Sequence, residues 1–282
     1  MGIAPLPGPR GLLRIYAPFL DQPERVMINF VAIEPIPLGK EERGLSELER
    51  SKLDEVRGKR FWSADDLADL APRRPEQPAC GVVETVDGVE YLRVFILAEP
   101  FDNGAHVAVR LTFRADRPHA VGLATYAHPD SAELSHCIVT ATMGNYARLR
   151  QLQLADRVVT PNDLWPEYQG NDFTPHARFP LAELQRTSAG DAFVVATPSE
   201  PQPQQADYAL GTRLHWRYQG RVAQQRWQVA EPDPKLEALV NGRRVYWASR
   251  SPIPGGMSFE NFEMVAPFKQ GGEFWLSVDP IN

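Results

Sequence analysis

The chain has 282 residues, 43% hydrophobic, 23% charged and 10% aromatic, which is enough to bury a core and unlike a disordered or fibrous chain. Its 26 prolines, about 9% against a usual ~5%, argue against a mostly helical protein, because an interior proline removes a backbone hydrogen bond and clashes with the preceding turn. A net charge of −6, with 30 basic residues scattered among 36 acidic ones, argues against a nucleic-acid surface, and no run of roughly eighteen apolar residues exists to cross a bilayer.

The N-terminus, MGIAPLPGPRGLL, lacks the basic region, apolar stretch and cleavage site of a secretory leader. The expected location is the cytoplasm, or a secreted or periplasmic one if a leader has been removed. Helix signals come early. Ser46 with Glu49 three residues on forms a capping box opening SELERSKLDEV, and Ser63 with Asp66 opens DDLADL, so a helical insertion is expected around 44–71. The proline-rich stretch 72–78 then reads as a surface loop. From residue 81 the pattern turns to period two. GVVETVDGVEYLRVFIL reads as two strands around Asp87-Gly88, a type I′ hairpin signal, and AHVAVRLTFRA and AVGLATYAH continue the series. Strands at roughly ten-residue spacing suggest a sandwich or jelly roll.

Strand parity separates a core face from a polar one. In CIVTATMGNYARLRQLQL, Val139, Ala141, Met143, Ala147 and Leu149 alternate with Thr140, Thr142, Tyr146, Arg148 and Arg150. Val107, Val109, Leu111 and Phe113 alternate with Arg110, Thr112 and Arg114, and Val121, Leu123 and Thr125 precede Tyr126 and His128. If these strands share a sheet, Arg110, Arg114, Tyr126, Arg148 and Arg150 form one basic, aromatic surface suited to a substrate. A plain solvated face is the alternative.

Further along, Pro161 to Pro180 reads as a long irregular loop carrying Trp165, Tyr168, Asp172 and His176; loops on a rigid scaffold are where binding residues concentrate. Trp165 is either a sugar-stacking platform or a loop anchor. The stretch 198–205 is a second proline-rich loop, Trp216 and Trp227 alternate like the strands of a hairpin, and Trp216 and Tyr218 read as core or sheet-edge residues, with glycan contact as the alternative. Cys80 and Cys137 form no CxxC pair and are expected as buried free thiols rather than a disulfide. The six histidines include no HxH or HExxH pair. His128 and His136 flank the turn PDSAEL and would face each other across it, but without ligand spacing no metal site is assigned. No cofactor is indicated; a structural Ca2+ is compatible with this kind of fold, but no ligand set points to one. Nucleotide-binding and serine-elbow motifs are absent.

The stretch LEALVNGRRVYWASRSPIPGGMSFENFEMVAPFKQGGEFWLSV resembles the closing strands of concanavalin A-like jelly rolls of the LamG and glycoside hydrolase family 16 kind. The matching residues are Val240, Asn241 and Gly242, then Pro254, Gly255 and Gly256, then Phe259, Glu260, Asn261 and Phe262. The resemblance covers about forty residues and implies an all-β, concanavalin-like β-sandwich (jelly roll), with long loops and one or two short helices near the N-terminus, forming a single domain over 1–282. The E-x-D-x-E strand of laminarinase-type members is missing. Glu260 and Glu263 have odd spacing, which puts them on opposite strand faces and reads as a surface arrangement.

Jelly-roll polysaccharide lyases use a phenol or imidazole as base and acid, while guanidinium or amide groups neutralise the uronate so that its C5 proton becomes acidic. Tyr146, His128, His136 and His176 are the candidate catalytic residues on that logic, with the arginines above, Trp165, Tyr168 and Asp172 as substrate contacts. The expected function is engagement of a polysaccharide or oligosaccharide, with an anionic sugar favoured by Tyr-x-Arg-x-Arg, as a lyase or glycoside hydrolase. A non-catalytic, lectin-like glycan-binding module and a structural sandwich are the alternatives. The carbohydrate is the one expected partner, and the oligomeric state is not encoded in any pattern here.

Overall fold

The computed structural model describes residues 2–3, 10–18, 25–68, 80–142, 149–198, 223–245, 250, 252–253 and 255–281. Its strands form two large antiparallel sheets. The seven-stranded sheet runs β1 (Gly2–Ile3), β2 (Leu13–Pro18), β3 (Arg25–Pro37), β9 (Leu134–Thr142), β17 (Ser258–Val265), β16 (Glu237–Arg243) and β12 (Ala177–Pro180). The eleven-stranded sheet runs β11 (Val158–Val159), β10 (Leu149–Gln153), β14 (Ala192–Pro198), β15 (Ala223–Val229), β18 (Gly272–Pro280), β8 (Ala120–Ala127), β7 (Val107–Arg114), β6 (Val89–Ala98) and β4 (Phe61–Ala64). β13 (Gln185–Arg186) adds to β14 and β5 (Val82–Val86) to β6. Among the described residues no helix is long and apolar enough to cross a membrane.

The period-two pattern is what builds the interior. Val107, Val109, Leu111, Val121, Leu123, Val194, Trp227 and Leu276 of the larger sheet pack against Ile33, Val139, Ala141, Val240, Phe259 and Phe262 of the smaller in one core cluster. Trp227 meets Phe262 edge-on at 5.6 Å, which locks the two sheets together. The Asp87-Gly88 hairpin forms as expected between β5 and β6, with φ of 50° and 78° at the two turn residues, the pair of positive angles a type I′ turn needs.

Two expectations fail for tertiary reasons. The segment 44–68 contains turns and short extended pieces, not a helical insertion. Ser46 does not cap a helix: its hydroxyl donates to the Gly11 carbonyl at 2.6 Å and accepts the Ile33 N–H at 3.0 Å, so it serves the edge of β3. Glu49 accepts the Asp102 N–H at 2.8 Å and meets the buried Lys59 ammonium at 3.0 Å. Contacts to distant elements thus claim the side chains that a local helix would use. Residues 138–153 are likewise not one strand. β9 belongs to the smaller sheet and β10 to the larger, so the three polar faces do not merge.

The Pro161–Pro180 segment is more ordered than expected. It opens with one helical turn, Pro161–Leu164, capped reciprocally by Thr160 and Asp163, and closes with β12 on the sheet edge, where prolines are tolerated. Cys80 and Cys137 are both free, as expected, but only Cys137 is buried.

Candidate functional site

The site is built on the face of the seven-stranded sheet that points away from the shared core. Along β9, Val139 and Ala141 enter the core and Thr140 faces outward; along β16, Ala238 and Val240 enter while Leu239, Asn241 and Arg243 face outward. This outer face is not wet. Ala32, Thr140, Leu239, Asn241 and Arg243 are all buried, so the central strands are covered on both sides.

Two carboxylates sit in this covered face. Glu34, on β3, is 5% exposed, and Glu263, on β17, is 1% exposed, with β9 between their strands. Glu260 is 2% exposed, so the surface reading of Glu260 and Glu263 is overturned. The odd spacing misleads because β17 carries a bulge: Val240 pairs with Phe262 and Gly242 with Phe259, placing four residues of β17 against three of β16. The extra residue resets parity, which lets both glutamates leave the core face.

Arg43, on the connection after β3, bridges the pair. Its Nη1 donates to Glu34 Oε2 at 2.7 Å and to Glu263 Oε2 at 3.0 Å. The two Oε2 atoms therefore cannot be farther apart than those distances combined. Their environments separate them. Burial, and then the charge of Glu263, push the Glu34 pKa up to about 7 against the pull of Arg43. Burial acts on Glu263 in the same sense, but the hydrogen bond from His176 and the charge of Arg43 outweigh it and hold its pKa below the usual carboxylate value. Near neutral pH the pair thus combines a carboxylic acid with a carboxylate.

His176 immediately precedes β12 and completes the cluster. Its Nε2 lies 3.1 Å from Glu263 Oε1 and 3.3 Å from Asn241 Nδ2. Asn241 Oδ1 accepts the Asn261 N–H at 3.1 Å, which turns the amide nitrogen toward the imidazole. A protonated Nε2 can donate to Glu263, and a bare Nε2 can accept from Asn241, so the two contacts call for opposite tautomers. Arg43 and His176 are the partly exposed members. Arg43 also walls a cleft of about 350 Å³, shared with Lys40, Glu42, Leu45 and Asn103, which brings solvent to the guanidinium.

Of the residues expected from sequence, only His176 belongs to this cluster. His136 lies on the same outer face at its margin, its pKa lowered by burial and by the charge of Arg43. His128 does not meet His136: it is buried beyond the end of β8 and stacks on His106 at 4.1 Å, while His106 Nδ1 pairs with Asp130 at 2.8 Å. Among the described residues no group of His, Cys, Asp and Glu is placed to hold a metal ion. Tyr146, Arg148, Trp216 and Tyr218 lie outside the described residues.

Arg150 is 8% exposed, not on a wet face. Its Nε donates to the Met257 carbonyl at 3.0 Å and its Nη2 to the Gly256 carbonyl at 3.3 Å, clamping the turn before β17. Trp165 packs edge-on against Phe259 and so anchors its loop. Tyr168 donates to the Asp172 carbonyl at 2.9 Å, closing the same loop.

Arg110, Arg114 and Tyr126 occupy the outer face of the eleven-stranded sheet. Arg110 lies over Tyr126 and pairs with Glu273, and Arg114 lies over Tyr91 and pairs with Asp116. These two guanidiniums thus each have their own carboxylate.

The residues that sequence reasoning missed are Glu34, Arg43, Glu263 and Asn241. A signal for the glutamates existed, since FVAIEPI and FENFEMV each embed a carboxylate in an apolar strand. Arg43 had none, because loop geometry alone brings it over the sheet. No protein-family model, curated protein or solved structure matches this chain.

Proposed function

We propose that the chain is a carbohydrate-active enzyme whose acid–base pair is Glu34 and Glu263, acting as a glycoside hydrolase. The observation that carries this reading is two buried carboxylates on one guanidinium nitrogen with opposite shifts in proton affinity. That arrangement supplies a proton donor and an ionised partner at one pH. Glu34 would protonate the glycosidic oxygen while Glu263, oriented by His176 and Asn241, serves as nucleophile or activates water. Arg43 is held on a loop rather than a strand, so it is the group that can give way to a sugar.

The carbohydrate class is supported by the resemblance to concanavalin A-like domains. The stretch that carries it folds as β16 and β17, the strands that present Asn241 and Glu263. The pair favours hydrolysis over β-elimination, because a carboxylic acid beside an ionised carboxylate suits displacement at an anomeric carbon.

Release of reducing sugar from neutral and uronate polysaccharides, monitored together with ultraviolet absorbance of unsaturated uronates, tests the reading. Release without unsaturation is expected. Glu263→Gln and Glu34→Gln should each lower kcat by roughly 10²–10⁴ while the fold is retained. No release on any substrate, or full activity in both folded variants, would overturn it. Unsaturated product would replace the hydrolase with a lyase.

A further inference from the structure

The outer face of the eleven-stranded sheet, opposite the acid–base pair, carries a second organised surface across β18, β15, β14 and β10. Its composition is unusual for a solvated face, with rings and amides where lysine and glutamate would suffice. Trp275, Gln228 and Phe193 are successive register partners, forming one row across three strands. Strands in a sheet lie about 4.8 Å apart, so the two rings are roughly 10 Å apart with an amide between them, about the length of a disaccharide. In the next row Arg226 lies 3.9 Å over the Phe193 ring. Arg117 lies 5.3 Å over Trp275.

The polar groups of this strip are held by one another. Gln153 Nε2 donates to Thr197 Oγ1 at 3.2 Å, Thr197 Oγ1 donates to Gln151 Oε1 at 3.3 Å, and Gln228 donates to Asp191. All of these side chains are half-buried. They are positioned in advance without being sealed from solvent, which lowers the ordering cost of binding.

Charge and shape narrow the occupant. The Arg226 guanidinium feels the carboxylates of Asp279 and Asp191 and the like charge of Arg117, so two cations are balanced by two anions and the strip offers no net cationic field to an acidic ligand. None of the large exposed aliphatic side chains lies on these four strands. Flat rings at disaccharide spacing, each with a guanidinium over one face and with an amide between them, match the alternating C–H faces and vicinal hydroxyls of a sugar chain.

We propose that this strip is a docking platform for a neutral polysaccharide chain, distinct from the Glu34–Glu263 site. The proposal takes its ligand class from the reading above but none of its residues. A chain held here would keep polymeric substrate at the protein between bond-breaking events.

Affinity electrophoresis of the full chain in gels containing mixed-linkage β-glucan, glucomannan or polygalacturonate tests the platform. At least one neutral polysaccharide should retard the protein, and polygalacturonate should not. Trp275→Ala and Gln228→Ala should each weaken the apparent association constant at least fivefold, with melting temperature checked in both. Glu263→Gln should bind as the parent does. Absence of retardation by every neutral polysaccharide, retardation by polygalacturonate alone, or unaltered binding in both folded platform variants would overturn the proposal. Retention without sugar release would defeat the hydrolase reading and leave the platform standing. Sugar release without retention would do the reverse.

Discussion

The outer faces of the two sheets use the same residue types to opposite effect. On the seven-stranded sheet, glutamate, arginine and asparagine are buried, and one guanidinium serves two carboxylates. On the eleven-stranded sheet, arginines and aromatics remain half-exposed, and Arg110, Arg114 and Arg93 each pair with a carboxylate, Glu273, Asp116 and Glu84. Where solvent is excluded, carboxyl groups compete for one cation and their proton affinities separate. Where solvent reaches, charges are matched locally and screened, and what remains is a surface of rings and amides. Covering a face couples its charges, and leaving one open keeps them independent.

Three measurements can break or sharpen that contrast. The largest effect is expected from Arg150, which sits on β10 of the eleven-stranded sheet yet is buried, although its residue type would suit an open face. Arg150→Ala should cost about 1.5–3 kcal/mol in urea unfolding, because its guanidinium bonds buried turn carbonyls. A loss below about 0.5 kcal/mol would return Arg150 to the solvated class.

The second measurement reads the buried carboxyls through pH. Glu34 has its folded pKa raised to about 7, so the folded state binds more protons than the unfolded chain above the ordinary glutamate value. Its favourable contribution is fully present below about pH 4.3 and is lost as pH rises through about 7, at up to ~1.4 kcal/mol per pH unit. Glu263 has the opposite sign: its pKa is lowered, so its contribution is present above the ordinary glutamate value and lost as pH falls through the folded one. Glu34→Gln should therefore flatten the decline of melting temperature between about pH 5 and 7 and leave the acid limb in place. An unchanged slope would show that Glu34 is ionised in the folded protein.

The smallest effect belongs to the open face. Arg114→Ala breaks an exposed pair with Asp116 and a stack on Tyr91, and should change stability by under about 0.5–1 kcal/mol, less still at high salt. A loss comparable to that of Arg150→Ala would erase the distinction between the two faces.

Much of the β-architecture was readable in the chain, and little of the site was. Side-chain alternation made β7, β8 and β9 legible, including which residues face inward, because period two is a local property of extended backbone. It did not reveal whether the other side would be wet. Thr140 and Arg150 were correctly placed off the core face of their segment, yet both are buried by parts of the molecule distant in sequence. His128 was misread for a related reason: β8 ends at Ala127, and the residue beyond it turns in against His106. The capping box at Ser46 and Glu49 met the local rule for a helix, but tethers to Gly11, Ile33 and Asp102 claimed its side chains.

By itself the sequence determined an all-β protein with stiff, proline-marked connections, a type I′ turn at Asp87-Gly88 and the inward faces of β7, β8 and β9. These follow from local sterics and from hydrophobic periodicity, which act within a few residues. Only the tertiary structure decided that β9 and β10 part into different sheets and that a bulge in β17 turns Glu260 and Glu263 away from the core. It also decided that Arg43 lies across two carboxylates from strands far apart in the chain. Proton affinity depends on burial and on neighbouring charge, and both are set by which distant segments come to cover a face.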